Sequence, residues 1–372
     1  MNSSEQSNET KRSMDLVKAK SLLQILESDL DACDFKWTLF VAAANNYKYD
    51  SLLKPFPSAF IANKVLCIER LRETIAYIPA FDVLLPKLQD FCDHTTSIDN
   101  TINDETIGLL YWCLISVKEP ILKSINRTNF DSVLKKVISV VPGPRPTHIF
   151  EVCTSSDSIA EEKFRSHQTN NPTTFGYHGS KLESFHSILN YGLQQHLCKT
   201  ALYGEGIYLS SELSVSLMFS STNIGWENSR CGRRSSCLAI CEFVNHPIHL
   251  KCHTKEKSNP NGVPDKYFVI TNNEIVRVRY LIVYGSEMKA ARNSRLTECS
   301  NMSEYAMVKW IHRHKWIAAM ITYAAILLII GASNSRHGYY MRQYMRQATL
   351  NAIDYLKTFN LFGFNYIKKL FG

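Results

Sequence analysis

The sequence predicts an α+β protein: an N-terminal all-α region, then a mixed α/β domain and a C-terminal transmembrane helix. Three observations support this prediction. Apolar residues recur at helical spacing through the first third, short β-branched and aromatic runs follow a proline-rich segment, and an uncharged apolar run lies near the C-terminus. With 372 residues, 45% of them hydrophobic and 20% charged, the chain is long enough for about two globular domains.

The N-terminal region is predicted to be helical over 14–141. Residues 1–13 are rich in Ser, Asn and Glu without apolar periodicity, so we expect them to be disordered. After them, apolar residues follow a helical stripe at Leu16, Leu22, Leu23, Ile25, Leu26 and Leu30. A second run begins at Phe35 and ends at Asn45-Asn46, and five or six helices are expected in all. Such a region could regulate the following domain or bind a partner, but we favour a domain that stabilises its neighbour.

The clearest predicted boundary is the segment 142–146, which contains three prolines. Proline removes a backbone donor and disfavours helix in the residue before it, so no helix can continue through this segment. The mixed α/β domain is therefore placed at 146–287, with its strands ending near Tyr284. Residues 288–315 are predicted to form a polar linker.

The apolar run 316–335 contains no charged residue. A helix crossing a bilayer needs about 20 such residues, and aromatic rings at its ends favour the membrane interface. A buried core helix is the alternative, which we consider weaker because the run lies outside the predicted domains. The N-terminus lacks the apolar core of a signal peptide, so a C-terminal tail anchor with a cytosolic N-terminal part is expected. Flanking charges do not set the orientation, and 336–372 is expected to be a basic amphipathic tail.

The positive charge of the chain is confined to its C-terminal end. From Lys309 onward there are nine basic residues and one acid, Asp354, a net of +8, so residues 1–308 balance 33 basic against 33 acidic residues. A domain that binds nucleic acid should itself carry the basic charge. This distribution argues against nucleic acid as a primary partner.

The eleven cysteines are spread along the chain without the close pairing of a secreted disulfide framework. We therefore expect free thiols in a reducing compartment. Cysteines and histidines between 231 and 253 could suggest zinc. However, 236–243 reads as a strand, in which Cys237 and Cys241 would lie about 13 Å apart, at ~3.3 Å per residue. Zinc–sulfur bonds of about 2.3 Å cannot bridge that distance, so no metal site is expected.

The segment 173–219 contains the residues that suggest chemistry. Phe175–His178 is predicted to form a short strand, and Ser180 to begin a helix through a capping box with Glu183. Gly192 is expected to end that helix.

A second strand, Ile207–Leu209, is predicted to follow Gly204-Glu205-Gly206. The next helix, Ser211–Phe219, would place Ser216 and Phe219 on one face. Spacing alone indicates only a cleft with a histidine and stacking aromatics, and a lone histidine is more often structural.

These motifs resemble the signature of the poly(ADP-ribose) polymerase (PARP)-type, diphtheria-toxin-like ADP-ribosyltransferases. The resemblance rests on His178-Gly179-Ser180, then Gly204 to Leu209, then 266–273 with 276–281 as a closing hairpin whose Asn272-Asn273 pair would turn with positive φ. Additional similarities to members held at the endoplasmic reticulum by a terminal span are Lys54-Pro55-Phe56-Pro57, Gly225-Trp226, His246-Pro247 and the apolar run.

The resemblance implies NAD as substrate, without a metal, and a role for each matching residue. His178 would bind the adenine-side ribose and Gly179 would hold the nicotinamide amide through its backbone. Tyr208 and Phe219 would stack on the nicotinamide ring, although family members commonly have Tyr at the position of Phe219. Ser216 would bind the carboxamide, and Ser180 could contact the ribose as well as cap its helix.

At the third catalytic position this sequence has Tyr267, where chain-forming polymerases carry Glu. A phenol cannot supply the charge of a carboxylate, so transfer of a single ADP-ribose is expected. The site would orient NAD and stabilise the oxocarbenium-like ribose left when nicotinamide departs. The implied acceptors are proteins near the endoplasmic reticulum or nuclear envelope and the chain itself. Two alternatives stay open: a catalytically weak NAD-binding scaffold, and an NAD glycohydrolase.

Overall fold

The computed structural model describes residues 3–94, 103–139, 143–197, 203–252 and 263–285. One compact unit takes in Met1–Lys289. The predicted linker 288–315, span 316–335 and tail 336–372 lie outside the described residues. Within the described ranges, no helix is long and apolar enough to cross a membrane.

The N-terminal region is helical, as predicted. Its helices are α1 (Ser3–Ser28), α2 (Leu30–Ala44), α3 (Tyr49–Leu52), α4 (Ile68–Tyr77), α5 (Phe81–His94) and α6 (Asp104–Tyr111), and a π-helical turn (Trp112–Ser116) follows α6. A short hairpin of β1 (Ile61–Ala62) and β2 (Val65–Leu66) precedes α4. Helix α1 begins at Ser3, within the segment 1–13 that the sequence predicts to be disordered. Glu, Gln, Lys and Arg in this segment are good helix formers, and a helix does not require an apolar stripe along its whole length.

Helix α2 is the element that joins the two halves of the molecule. Asp29 caps its N-terminus by accepting a hydrogen bond from the backbone N–H of Ala32, and Asn45 is its C-cap, as the Asn45-Asn46 break predicts. Because α2 is buried on nearly all sides, it contributes to two cores. One face packs into the helical region, and the opposite face packs on the sheet through Ala32, Phe35, Leu39 and Ala42.

The mixed α/β domain is built on a sheet of nine strands among the described residues. They are β3 (Ile121–Ser124), β4 (His148–Cys153), β5 (Thr173–Gly179), β6 (Ile207–Ser210), β7 (Asn223–Ile224), β8 (Arg234–Val244), β9 (Leu250–Lys251), β10 (Tyr267–Ile270) and β11 (Val276–Gly285). The order is β3-β4-β11-β8-β5-β6-β10-β9, with β7 paired to β8. Four helices accompany the sheet: α7 (Phe130–Leu134), α8 (Ile159–Gln168), α9 (Phe185–Tyr191) and α10 (Leu213–Leu217).

The domain begins earlier than the prolines at 142–146 predict. Strand β3 pairs with β4, and Phe130, Val133 and Val137 are buried in a core with Ile149 of the sheet. Residues from Ile121 onward therefore belong to the mixed α/β domain. A proline acts on the backbone around it and does not mark a domain boundary: Pro86 lies inside helix α5, and Pro144 and Pro146 precede β4 within one domain.

The predicted closing hairpin is also wrong. Strand β10 pairs with β6 and β9, whereas β11 pairs with β4 and β8, so the two strands are not neighbours. Asn272 has a φ of −133° and accepts a hydrogen bond from the N–H of Glu274, starting a 3₁₀ turn over Asn273–Ile275. An Asn pair suits a positive-φ turn, but an asparagine side chain also caps helical turns, and that role prevails here.

Trp226, in the loop between β7 and β8, fixes the helical region against the sheet. Its ring packs in the helical core, 4.9 Å from the ring of Phe81 and 6.2 Å from that of Trp37. A Cβ on Gly225 would come within 2.5 Å of Thr38 Cγ2, so only glycine allows this close approach. The loop and α2 are thus packed as one core.

Candidate active site

The three predicted catalytic residues lie on three neighbouring strands. His178 lies on β5, Tyr208 on β6 and Tyr267 on β10, and these strands are consecutive in the sheet. Tyr267 pairs with Ser210 and Tyr208 pairs with Val269. Paired residues and residues two apart share a face, so Tyr208 and Tyr267 project from the same face of the sheet. Tyr177 pairs with Ser210 and lies on that face too, so by the same rule the neighbouring His178 starts from the opposite face, and its ring contacts β6 at the backbone oxygen of Tyr208.

His178 is half-buried, and its ring is oriented by the backbone of the next strand. Its Nδ1 lies 3.0 Å from the carbonyl oxygen of Tyr208. A carbonyl can only accept, so Nδ1 carries the proton and Nε2 is left as an acceptor in the neutral ring. Burial lowers the pKa of His178, which favours this neutral form. The side chain is therefore prepared to accept a hydrogen bond from a hydroxyl group.

Tyr208 is fixed through its hydroxyl group to the loop that precedes its own strand. The hydroxyl donates to the carbonyl oxygen of Gly204 at 2.7 Å and accepts from the backbone N–H of Tyr203 at 2.9 Å. Gly206 lies close against β10, because a Cβ there would come within 2.6 Å of Val269 Cγ1. The glycines allow the loop to lie against the sheet, and the ring of Tyr208 is held in place.

Tyr267 is half-buried and contacts two other side chains. Its ring centroid lies 5.7 Å from that of Tyr203, with the rings inclined at 43°. The ammonium group of Lys266 lies 5.8 Å from the same ring. Tyr267, predicted to occupy the third catalytic position, therefore carries an aromatic contact in place of a carboxylate.

Gly179 and Ser216 show how closely the end of β5 approaches α10. A Cβ on Gly179 would lie 1.9 Å from the backbone oxygen of Ser216, so any other residue would force the two segments apart. Ser216 is buried, and its hydroxyl donates to the carbonyl oxygen of Tyr177 at 3.1 Å. Phe219 follows α10 and is half-exposed, with 49% of its surface accessible. Helix α10 is therefore shorter than the predicted helix Ser211–Phe219 and does not include Phe219.

The predicted capping box of Ser180 and Glu183 is wrong. A 3₁₀ turn over Leu182–Ser184 precedes α9, and neither element has a side-chain N-cap. The carboxylate of Glu183 instead accepts hydrogen bonds from the side-chain amides of Asn46 at 3.1 Å and Asn223 at 2.8 Å. This buried acid joins the helical region to β7, a role that the local sequence did not reveal. Gly192 ends α9 with a φ of 73°, as predicted.

Asn273, for which the sequence indicates only a turn, makes two side-chain hydrogen bonds to the segment after α9. Its side-chain oxygen accepts from the N–H of Gln195 at 2.9 Å, and its amide donates to the side-chain oxygen of Gln194 at 2.8 Å. These bonds tie the segment after α9 to the connection between β10 and β11. The pairing joins residues that are far apart in the chain, so no local signal could have predicted it.

Comparison with known proteins agrees with this architecture. The ARTD15 N-terminal domain matches residues 24–114, and the poly(ADP-ribose) polymerase catalytic domain matches residues 129–243. The protein mono-ADP-ribosyltransferase PARP16 of Homo sapiens is 33% identical over 323 residues, which cover 82% of this chain and 92% of the human protein. The Mus musculus PARP16 is 30% identical over 337 residues, covering 87% of this chain and 96% of the mouse protein. The mouse mono-ADP-ribosyltransferase PARP8 matches over a shorter length, 28% identical over 164 residues.

A nine-stranded sheet with His178, Tyr208 and Tyr267 on consecutive strands thus occurs in a chain that matches the PARP catalytic domain. The chain belongs to the PARP-type ADP-ribosyltransferases, enzymes that use NAD as their substrate, and within them to the mono-ADP-ribosyltransferases.

Proposed function

We propose that this chain transfers single ADP-ribose units from NAD to protein side chains, its own included, at the edge of the sheet where β5, β6 and β10 carry His178, Tyr208 and Tyr267. The observation that carries the proposal is that these three residues lie on consecutive strands, with the His178 ring bonded to the backbone of Tyr208. Proteins near the membrane of the endoplasmic reticulum are the proposed acceptors.

The described contacts support a role for each residue toward NAD. Nε2 of His178 can accept a hydrogen bond from a ribose hydroxyl, because Nδ1 already donates to Tyr208. The hydroxyl of Ser216 donates its proton to the carbonyl oxygen of Tyr177, and its oxygen can still accept a hydrogen bond from the N–H of a carboxamide. Ser180 does not cap α9, so its hydroxyl can form a hydrogen bond with the ribose. The rings of Tyr208 and Phe219 and the backbone of Gly179 are proposed to hold the nicotinamide.

Tyr267 supports transfer of one unit at a time. Elongation requires that a hydroxyl of the previous ADP-ribose be oriented and activated, and a tyrosine side chain has no carboxylate to do this. In the first step, the cleft residues hold the substrate while the bond between the anomeric carbon and nicotinamide breaks. A protein nucleophile then bonds to that carbon and releases its proton.

The proposed setting is the membrane of the endoplasmic reticulum or nuclear envelope, with 316–335 as a single tail anchor and the catalytic part in the cytosol. The support is the uncharged apolar run, whose length suits a bilayer of about 30 Å. A variant that lacks residues 309–372 should move to the soluble fraction after cell disruption. If it still sediments with membranes, the anchor is elsewhere.

Product analysis tests the single-unit proposal. The full-length protein, in detergent or vesicles, is incubated with NAD labelled in its adenylate part and then digested with a phosphodiesterase. Single units yield AMP alone, whereas internal units of a chain yield phosphoribosyl-AMP. We expect AMP alone from the wild type, and phosphoribosyl-AMP would overturn the proposal. Free ADP-ribose without protein-bound label would indicate a glycohydrolase instead.

A further inference from the structure

The segment Tyr203–Gly206 is fastened against the face of the sheet that carries the catalytic tyrosines. The hydroxyl of Tyr208 accepts a hydrogen bond from the backbone N–H of Tyr203 and donates one to the carbonyl oxygen of Gly204. The backbone is therefore held at two consecutive residues. The position of Tyr203 is thereby set by its backbone, independently of its own side chain.

The ring of Tyr203 reaches from this anchored position to Tyr267, with 5.7 Å between the ring centroids. Tyr208 and Tyr267 share a face of the sheet, and Tyr203 contacts both, one through its backbone and the other through its ring. The three tyrosines therefore form one connected group, hereafter the tyrosine group. Tyr208 is proposed to face nicotinamide and Tyr267 the acceptor, so Tyr203 connects the two sides of the cleft.

We propose that Tyr203 is a positioning residue that holds Tyr267 on the acceptor side and so determines how NAD is divided between transfer to protein and transfer to water. This inference rests on the proposed function of the cleft. Aromatic pairs at this distance are mutually stabilising, and removing one ring leaves the other with fewer contacts and opens space for water.

The two outcomes differ only in the nucleophile. The bond from the anomeric carbon to the nicotinamide nitrogen breaks, and its electron pair leaves with nicotinamide. Either a protein side chain or the oxygen of water then bonds to the anomeric carbon and releases one proton. Water is always present at high concentration. Side chains that exclude it from the acceptor side, such as the paired rings of Tyr203 and Tyr267, therefore favour transfer to protein.

The test compares Tyr203→Ala with Tyr203→Phe in the full-length protein. Free ADP-ribose and protein-bound ADP-ribose are measured in the same reaction with labelled NAD. We expect Tyr203→Ala to raise the ratio of free to bound product about fivefold, the scale of an aromatic pair. Tyr203→Phe retains the ring and should stay near the wild-type ratio. The KM for NAD should change little in both variants, because the backbone N–H of Tyr203 that bonds Tyr208 is kept.

The matched control is Tyr77→Ala, which removes an exposed tyrosine of α4.

A second variant separates positioning from loss of folding. Tyr267→Ala should shift the ratio in the same direction, and the double variant with Tyr203→Ala should add little, because each single change already breaks the contact. An unchanged ratio in Tyr203→Ala, a Phe variant that behaves like the Ala variant, or fully additive effects would overturn the proposal. If the wild type itself produces no protein-bound ADP-ribose, the proposed function fails, and this inference fails with it.

Discussion

The two ends of the large sheet are built differently. At the β3–β4 end, helix α2 covers the strands: Asp29 accepts hydrogen bonds from the N–H and hydroxyl of Ser124, and Phe35 stacks on Phe150 with 4.9 Å between ring centroids. At the β6–β10 end, Tyr208 and Tyr267 stay half-buried and carry polar groups. The covered end contributes buried contacts, and the open end is where we propose that the substrate binds.

Polar groups follow the same division. Asp34 of α2 is fully buried, and its Oδ1 accepts hydrogen bonds from the hydroxyl of Ser229 at 2.6 Å and the N–H of Arg230 at 3.1 Å. Burial nevertheless raises the pKa of this carboxyl to about 6. At the open end, by contrast, the His178 ring makes one hydrogen bond among the described residues, to a backbone oxygen. Changes at the covered end should therefore affect unfolding, and changes in the cleft should affect catalysis.

The largest expected effect is on stability, from Phe35→Ala. Loss of a fully buried aromatic ring from a core costs about 3–5 kcal/mol in the free energy of unfolding. Urea unfolding should show this loss, while the activity of the molecules that remain folded at low temperature should stay near wild type. Val17→Ala, on the exposed side of α1, should leave both unchanged. A large change in KM for NAD in the folded Phe35→Ala protein would break the comparison.

The cleft counterpart is His178→Ala. Removing the acceptor that is proposed to bind ribose should lower kcat/KM for NAD about 100-fold, the factor that corresponds to one strong hydrogen bond of about 3 kcal/mol. The melting temperature should change little, because the ring makes only one hydrogen bond within the described residues. Steady-state kinetics and a thermal melt on the same sample provide the check. A loss of activity matched by a loss of folding would mean that His178 is structural.

Two buried groups, Asp34 on α2 and His186 on α9, give opposite pH dependences of stability. The pKa of His186 is lowered by burial to about 4, so between pH 4 and 6.5 the unfolded chain binds a proton that the folded chain does not, and stability rises with pH. For Asp34 the folded pKa of about 6 exceeds the ordinary 3.8, so its contribution to stability falls as pH rises through the same range.

In Asp34→Asn, the free energy of unfolding should therefore rise with pH, because the titration of Asp34 no longer offsets that of His186. The Asn oxygen can still accept from Ser229 and Arg230, but the titration at this position is gone. Relative to wild type, the variant should gain about 1–2 kcal/mol of unfolding free energy between pH 4.5 and 6.5. Urea unfolding at the two pH values measures this, with the exposed Asp50→Asn as control. An identical pH slope in Asp34→Asn and wild type would contradict the account.

The smallest expected effect comes from Tyr208→Phe, which keeps the stacking ring and removes the hydroxyl that holds Tyr203 and Gly204. Loss of about 1 kcal/mol of hydrogen bonding should raise the KM for NAD about fivefold. Tyr208→Ala should be much worse, because it also removes the ring. Tyr191→Phe, at an exposed tyrosine of α9, is the matched control. Equal kinetics for Tyr208→Phe and wild type would show that the hydroxyl does not position the loop.

Local patterns predicted much of this structure. Periodicity predicted the helical region, the Asn45-Asn46 break predicted the end of α2, and β-branched runs predicted β5, β6, β8 and β11. The short glycine motifs predicted the strands that carry His178 and Tyr208. Each of these patterns involves only a few neighbouring residues, and the element that it predicts is present in the structure.

Pairings over long sequence distances could not be predicted in the same way. The strand of Tyr267 pairs with that of Tyr208 instead of with β11, and Glu183 bonds Asn46 across the molecule. The proline segment marked the end of a helix but not of a domain, because a proline acts only on its own backbone and that of the residue before it. Tyr203 lay beside the glycine motif in the sequence, but only the ring contact with Tyr267 shows what it does.

The most direct test of the central claim is a labelling experiment on the full-length protein. Wild type and His178→Ala are incubated with NAD labelled in the adenylate part, in detergent or vesicles, and separated on a denaturing gel. We expect a discrete labelled band in the wild type that is absent from His178→Ala. A band of equal intensity in both proteins, or a smear of long products in the wild type, would contradict it.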